Sequence, residues 1–159
     1  MSNEDLLKTG NFAPDFTLGT DGDGSLTLSE MRGSPVVLYF YPKDNTPGCT
    51  TQAKDFRDNS AAFEREDVKI VGISKDSIAS HDKFKANHDL NFALASDEQG
   101  SVCNAYNCWV EKNMYGRKYM GIRRDTYLID SKGIIQKIWR KVRVSGHVEE
   151  VLEAAKKLT

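Results

Sequence analysis

The run Val36-Val-Leu-Tyr-Phe-Tyr41 is apolar at every position and rich in β-branched and aromatic residues. That pattern predicts a strand buried on both faces. Pro42 has no N–H to give to a ladder and ends it. Asp44-Asn-Thr-Pro-Gly48 then supplies turn and helix-start residues. From there apolar groups return at Cys49, Ala53, Phe56 and Phe63, a helical spacing that predicts a helix to about Glu64 with the Cys49 thiol on its buried stripe.

The remaining pattern can be taken in order. Phe12–Leu18 and Ser25–Leu28 flank the turn-rich Gly19-Thr-Asp-Gly-Asp-Gly24 and predict a hairpin. The Asp21-x-Asp-Gly string is part of a calcium-loop pattern, but the position eleven further on is Arg32 rather than Glu, so it is read as a turn. Val68–Ile73 is a second apolar strand, Ser77–Asn87 a helix with Ile78 and Phe84 inward and a polar outer face, and Phe92–Ala95 a short strand. Asp97–Tyr106 opens a modest helix carrying Val102, Cys103 and Tyr106. Trp109–Met120 mixes aromatics and lysines around Gly116 and reads as an irregular loop over the side that carries Cys49. Thr126–Ile129 and Ile134–Arg140 are strands joined by the turn Asp130-Ser-Lys-Gly133. The last helix opens at Ser145-Gly-His and lines up Val148, Val151, Leu152, Ala155 and Leu158 on one face. A β-α-β-α-β order followed by a hairpin and a helix predicts an α/β fold, a mixed central sheet flanked by helices on both faces. No repeat, low-complexity tract or linker divides the chain, so residues 1–159 are read as one domain.

Charge and composition narrow the function. With 28% charged residues and a net charge of −1, nothing marks a nucleic-acid or membrane surface. No apolar run is long enough to span a bilayer, and Met1-Ser-Asn-Glu-Asp is not a signal peptide. Three cysteines without a framework spacing fit a reducing compartment, and the cytoplasm is the expected location. His81, His88 and His147 are scattered and have no Cys-x-x-Cys beside them, so no metal site is expected.

Cys49 is the candidate with chemistry attached. The thiolate is the nucleophile, and the first turn of a helix offers unpaired N–H groups and the positive end of the macrodipole to stabilise it. A cation must add to that, and Arg57, Arg123 and Arg124 are the candidates. A single buried cysteine is ordinarily a small hydrophobe. Its neighbours change the reading, because Pro42-x-x-x-Thr46-x-x-Cys49 sets a hydroxyl one turn before the thiol in a loop stiffened by two prolines.

The string Phe40-Tyr-Pro-Lys-Asp-Asn-Thr-Pro-Gly-Cys-Thr50 closely resembles the active-site segment of peroxiredoxins, in particular the bacterioferritin comigratory protein (peroxiredoxin Q) branch. The likeness extends to Ala13-Pro-Asp-Phe-Thr-Leu18, Arg32-Gly-Ser-Pro-Val-Val-Leu38, Val71-Gly-Ile-Ser74 and Arg124-Asp-Thr-Tyr-Leu-Ile-Asp130, nearly the whole chain. The resemblance implies a thioredoxin fold with an N-terminal β-hairpin extension. It also implies a cofactor-free peroxidase that reduces hydrogen peroxide and organic hydroperoxides through a Cys49 sulfenic acid. Thioredoxin, glutaredoxin or a small thiol would be the reductant. The expected assembly is a monomer or a weak homodimer.

Residue by residue, the likeness gives Thr46 a hydrogen bond to peroxide and thiolate, where by itself a threonine before Pro-Gly would cap the helix. Arg124 matches the arginine of the family's Arg-x-Ser/Thr-Phe/Tyr-hydrophobic-Ile-Asp segment and becomes the thiolate-orienting cation. Alone it would read as a solvated charge at a strand start, and Arg123 is the alternative. Pro42 shields the sulfur from solvent and over-oxidation. One departure matters. Relatives with a resolving cysteine commonly carry it five residues after the reactive one or in the following helix, and those positions are Lys54 and Lys85 here. Cys103 and Cys108 remain as candidate resolving thiols, and they can pair with each other only if the helix ends between them, which Asn107 permits. A one-cysteine mechanism is the simpler expectation.

Other classes stay open on the sequence. A thiol–disulfide oxidoreductase needs Cys-x-x-Cys, and position 52 is Gln. A peroxide-oxidised sensor or adaptor would be oxidised once without turnover. A cysteine hydrolase would need a histidine paired with the thiol.

Overall fold

The computed structural model describes residues 6–158. Its strands are β1 (Thr17–Thr20), β2 (Gly24–Thr27), β3 (Val36–Phe40), β4 (Lys69–Ser74), β5 (Ala93–Ser96), β6 (Trp109–Met114), β7 (Arg117–Ile122), β8 (Asp125–Ile129) and β9 (Ile135–Trp139). Its α-helices are α1 (Pro47–Asp58), α2 (Ser60–Arg65), α3 (Ile78–His88), α4 (Ser101–Ala105) and α5 (His147–Lys156).

Seven strands form one mixed sheet in the order β2-β1-β5-β4-β3-β8-β9. β3 pairs parallel with β4 on one side and antiparallel with β8 on the other, so the apolar run read first in the sequence sits well inside the sheet. Its side chains alternate. Val37 and Tyr39, with Tyr41 just beyond, enter the core shared with Cys49, Ala53, Phe56, Phe63, Phe84 and the α5 residues Val148 and Val151. Val36, Leu38 and Phe40 enter the opposite core with Val102, Cys103, Tyr106, Cys108 and Tyr127. Each large side chain so buried contributes about 1.5–3 kcal/mol. The expected α/β architecture with helical cover on both faces is therefore present.

Gly72 of β4 is what lets Tyr39 lie flat across the sheet, because a Cβ there would stand 2.9 Å from the Tyr39 ring and hydroxyl. Tyr39 in turn stacks on Phe56 with ring centroids 4.6 Å apart, which seats α1 on β3.

Four local expectations need correction. The helix through Cys49 does not run unbroken to Glu64. It stops at Asp58, where Asn59 leaves helical geometry (φ −101°, ψ 4°) and its side-chain amide donates to the Asp55 carbonyl, before α2 begins. The first strand starts only at Thr17, because Pro14 lacks a donor and Asp15 turns its carboxylate onto the Phe16 N–H; Phe12 makes an isolated bridge with Ile134. Trp109–Met120 is no irregular loop but most of the regular β6–β7 hairpin. Tyr115 and Gly116 both take positive φ, as a two-residue primed turn requires, and the Asn113 side chain accepts from the Gly116 N–H. On α3, Ile78 of the inward face is only half-buried, and the face is completed by His81, fully buried beside Phe84.

The Asp21 carboxylate pairs with Lys85 at 2.7 Å and accepts from the Leu94 N–H at 2.9 Å. No group of residues with metal-ligand geometry occurs among the described residues, and no described helix is long and apolar enough to cross a membrane.

His147, at the start of α5, packs edge-on against Trp139 and lies 2.9 Å from the Thr126 hydroxyl. Burial pushes its imidazole down to about 4, with the Arg124 charge adding to the effect and Glu150 and Glu149 opposing it. The folded value lies below the unfolded one, so the unfolded chain takes up the proton first as pH falls. Stability is therefore lost from about pH 6.5 down to about 4, by on the order of 3 kcal/mol. His147→Gln removes that titration. Its urea midpoint should fall less steeply than the unaltered chain's across this window; parallel pH profiles for the two proteins would refute the assignment.

Candidate active site

α1 starts where Pro42 and the Asp44–Thr46 turn release the chain from β3. Thr46 is its N-cap, Pro47 its first residue and Cys49 its third, so the N–H groups of Gly48 and Cys49 have no acceptor within the helix. Cys49, Gln52, Ala53 and Phe56 make the buried face, and Cys49 is 1% exposed. The thiol thus lies at the positive end of a twelve-residue helix, on the core side.

Arg124, directly before β8, reaches it. Its Nη2 donates to Cys49 Sγ at 3.3 Å and its Nη1 donates to Gln52 Oε1 at 2.6 Å. Gly48 makes room for this, since a Cβ there would lie 3.2 Å from Nη2. Gln52 is fully buried, and the guanidinium fixes its orientation because Arg124 can only donate. Its amide nitrogen has no partner among the described residues. Lys112 of β6 is a second cation within electrostatic range. Burial and then the Arg124 cation lower its ammonium, while the Cys49 sulfur acts in the opposite direction. The base of the β6–β7 hairpin, at Trp109 and Ile122, packs in the opposite core, and Lys112 is the hairpin residue within electrostatic range of Cys49.

The other candidate cations point elsewhere. Arg123 is held by Asp125, with Nε at 2.8 Å from Oδ1 and Nη2 at 2.9 Å from Oδ2. Arg57 pairs with Asp58 and donates to the His88 carbonyl. Thr46 is not a side-chain cap: its hydroxyl donates back across the turn to the Lys43 carbonyl at 2.8 Å, and its own carbonyl accepts the Thr50 N–H. Pro42 is half-buried where the chain leaves β3.

Cys103 and Cys108 are not part of this arrangement. They belong to the core on the opposite face of the sheet from Cys49. α4 does end between them, with Asn107 at φ 62°, and the Cys108 thiol donates to the Cys103 carbonyl at 3.3 Å. All three cysteines are free thiols. Pairing with Cys108, then burial and the nearby Asp97 carboxylate, hold the Cys103 thiol far above the ordinary range. Lys85, at one of the familiar resolving positions, is occupied by its ion pair with Asp21. Neither buried histidine faces Cys49, since His81 bonds Asp44 and His147 bonds Thr126.

Sequence reasoning missed Gln52, which lies three residues after Cys49 on the same helix face; that spacing is a signal for a shared site. It also missed the buried pairing of Asp44 with His81, thirty-seven residues apart, which no local spacing reveals.

Known proteins resemble the chain throughout. The AhpC/TSA family matches residues 9–138. Peroxiredoxin Bcp of Bacillus subtilis is 45% identical over 153 residues, covering 96% of this chain and 98% of that protein. A bacterioferritin comigratory protein of Xanthomonas campestris, studied for its alkyl peroxide reduction activity, superposes with a TM-score of 0.86 at 42% identity, covering 89% of this chain and 90% of the other. A PrxQ variant of Xylella fastidiosa gives a TM-score of 0.90 at 38% identity, with 95% and 96% of the two chains covered.

Proposed function

The chain belongs to the AhpC/TSA family and is a peroxiredoxin of the Bcp kind, and from that premise we propose that it reduces hydrogen peroxide and organic hydroperoxides through Cys49, without a second cysteine of its own. The observation that carries the reading is the Arg124 Nη2 contact with Cys49 Sγ at 3.3 Å, made at the first turn of α1. Two positive features converge on one sulfur there.

In this mechanism the Cys49 thiolate attacks the terminal oxygen of the hydroperoxide. An S–O bond forms, the O–O bond breaks, and the electron pair leaves on alkoxide or hydroxide, which takes up a proton. Arg124 and the free N–H groups of the first turn are placed to stabilise that charge as it develops, and Thr46 orients the peroxide. Pro42 limits access of further oxidant. The product is a Cys49 sulfenic acid. An external thiol attacks its sulfur, water leaves, and a second thiol equivalent releases Cys49 from the mixed disulfide. No cofactor takes part. We take the reductant to be thioredoxin, glutaredoxin or a small thiol, the compartment to be the cytoplasm, and the assembly to be a monomer or weak homodimer.

The separation of Cys49 from Cys103 and Cys108 by the sheet supports the one-cysteine form. The test is to oxidise the protein with one equivalent of peroxide, block free thiols and count them by mass. Two blocked thiols with a sulfenic or mixed-disulfide adduct on Cys49 are expected. One blocked thiol and a mapped Cys49–Cys103 or Cys49–Cys108 bridge would overturn the one-cysteine reading. Oxidation that stops after one equivalent in the presence of thiol reductants would favour a sensor over an enzyme.

A further inference from the structure

His81 takes no part in the chemistry above, yet it is fully buried and both of its ring nitrogens are engaged. Nε2 lies 3.0 Å from the Ala95 carbonyl of β5, an atom that only accepts. Nδ1 lies 2.7 Å from Asp44 Oδ2, also an acceptor. The ring can satisfy both only by donating from both nitrogens, which makes it an imidazolium.

The groups facing it fit that state. The Asp44 carboxylate, 5% exposed as a residue, also accepts the Tyr41 hydroxyl at 2.6 Å and the Ser80 hydroxyl at 2.8 Å. Tyr41 from the end of β3 lies 3.4 Å from Nδ1, and burial holds its phenol well above the ordinary range, so it stays a donor to Asp44. Asp76, between β4 and α3, contributes a second negative charge and accepts the Asp44 N–H at 2.9 Å. Burial alone would lower the imidazole, but the Asp44 hydrogen bond and charge, the Ala95 carbonyl and Asp76 together raise it above its usual value.

Asp44 is the first residue of the turn that delivers α1. Asn45 follows in the left-handed region at φ 63°, a conformation that costs about 1–2 kcal/mol and needs holding. Thr46 and the α1 N-terminus come next. We propose that His81 is a positioning residue for the Cys49 site: donating from both nitrogens, it clamps the Asp44 carboxylate to β5 and so fixes the turn that presents Thr46 and the first turn of α1. The inference rests on Cys49 being the reacting thiol. Loss of the ring proton leaves, in either tautomer, a lone pair facing Asp44 or the Ala95 carbonyl inside a dry site. The turn then loosens, and the peroxide step slows as pH rises through the raised histidine value. An alkaline decline in rate is the signature of that loosening.

The experiment measures the second-order rate of Cys49 oxidation by hydrogen peroxide against pH in the unaltered chain, His81→Asn and His81→Gln, with Cys49→Ser as blank. The Asn amide occupies the place of Nδ1 and keeps the Asp44 bond; the Gln amide occupies the place of Nε2 and keeps only the Ala95 bond. Each variant gives up one buried hydrogen bond, so their melting temperatures should fall alike. His81→Gln is expected to lose roughly tenfold in rate and His81→Asn much less. Both should lose the alkaline decline. Equal slowing in both variants, or an alkaline decline that survives them, overturns the clamp. Should a variant fail to fold, imidazole nitrogen shifts of the unaltered protein decide instead: both nitrogens protonated at neutral pH supports the proposal, and a neutral tautomer refutes it. An unaltered chain whose Cys49 is not oxidised would sink the reading of the thiol itself, a separate result.

Discussion

Cys49→Ser is expected to abolish peroxide consumption, while Cys103→Ser and Cys108→Ser leave the first oxidation step intact. The reason is position rather than thiol count. Cys49 alone sits at a helix N-terminus with a guanidinium on its sulfur. Cys103 and Cys108 face each other in the core across the sheet, where Cys103 is held as the neutral thiol. Serine at either buried position leaves a hydroxyl where a thiol packed, at a cost of about 1–3 kcal/mol, so rates must be compared on folded protein. Second-order oxidation rates for the three variants decide the matter. Catalytic peroxide turnover by Cys49→Ser would remove the central claim.

The features legible in the sequence were those written in short-range pattern. The apolar run at Val36 became an interior strand because nothing polar interrupts it and both of its faces meet cores. The spacing of Cys49, Ala53 and Phe56 placed the thiol correctly on the buried side of α1. Arg124 is singled out in the sequence only through its family segment, and its guanidinium lies 3.3 Å from the Cys49 sulfur. The β6–β7 hairpin was illegible for a local reason. Its strands carry lysines and exposed apolar residues without clean alternation, and its turn is Tyr115-Gly116 rather than the Asn-Gly that marks a primed turn.

The polar scaffold behind the site was hidden for a different reason. Asp44 follows β3 while Asp76 and His81 follow β4, and the β3–β4 pairing is what brings the two stretches together. Each residue alone looks like an ordinary surface polar group, and His81 sits on a helix whose apolar stripe is weak. Gln52 is intermediate. Its spacing from Cys49 was visible, but that a buried amide would serve as the acceptor for Arg124 depends on a partner seventy-two residues away.

Arg124→Ala should slow the peroxide step by roughly 10²–10³, the scale of a lost donor to developing charge. It removes the Nη2 contact with Cys49 and leaves Gln52 Oε1, a fully buried acceptor, without its partner. Arg124→Lys restores charge but not the fork that serves sulfur and amide together, so it should recover only part of the loss. Arg123→Ala provides the contrast. That side chain donates to the buried Asp125 and to the Asn107 carbonyl, while Arg140 and the Lys141 N–H still serve Asp125 in its absence. It should therefore cost stability, about 1–3 kcal/mol, with little change in the oxidation rate of folded protein. One variant loses rate and the other loses stability, and measuring both quantities on both proteins separates them. If Arg123→Ala proves the slower enzyme and Arg124→Ala the less stable fold, the cation at Cys49 has been assigned to the wrong arginine.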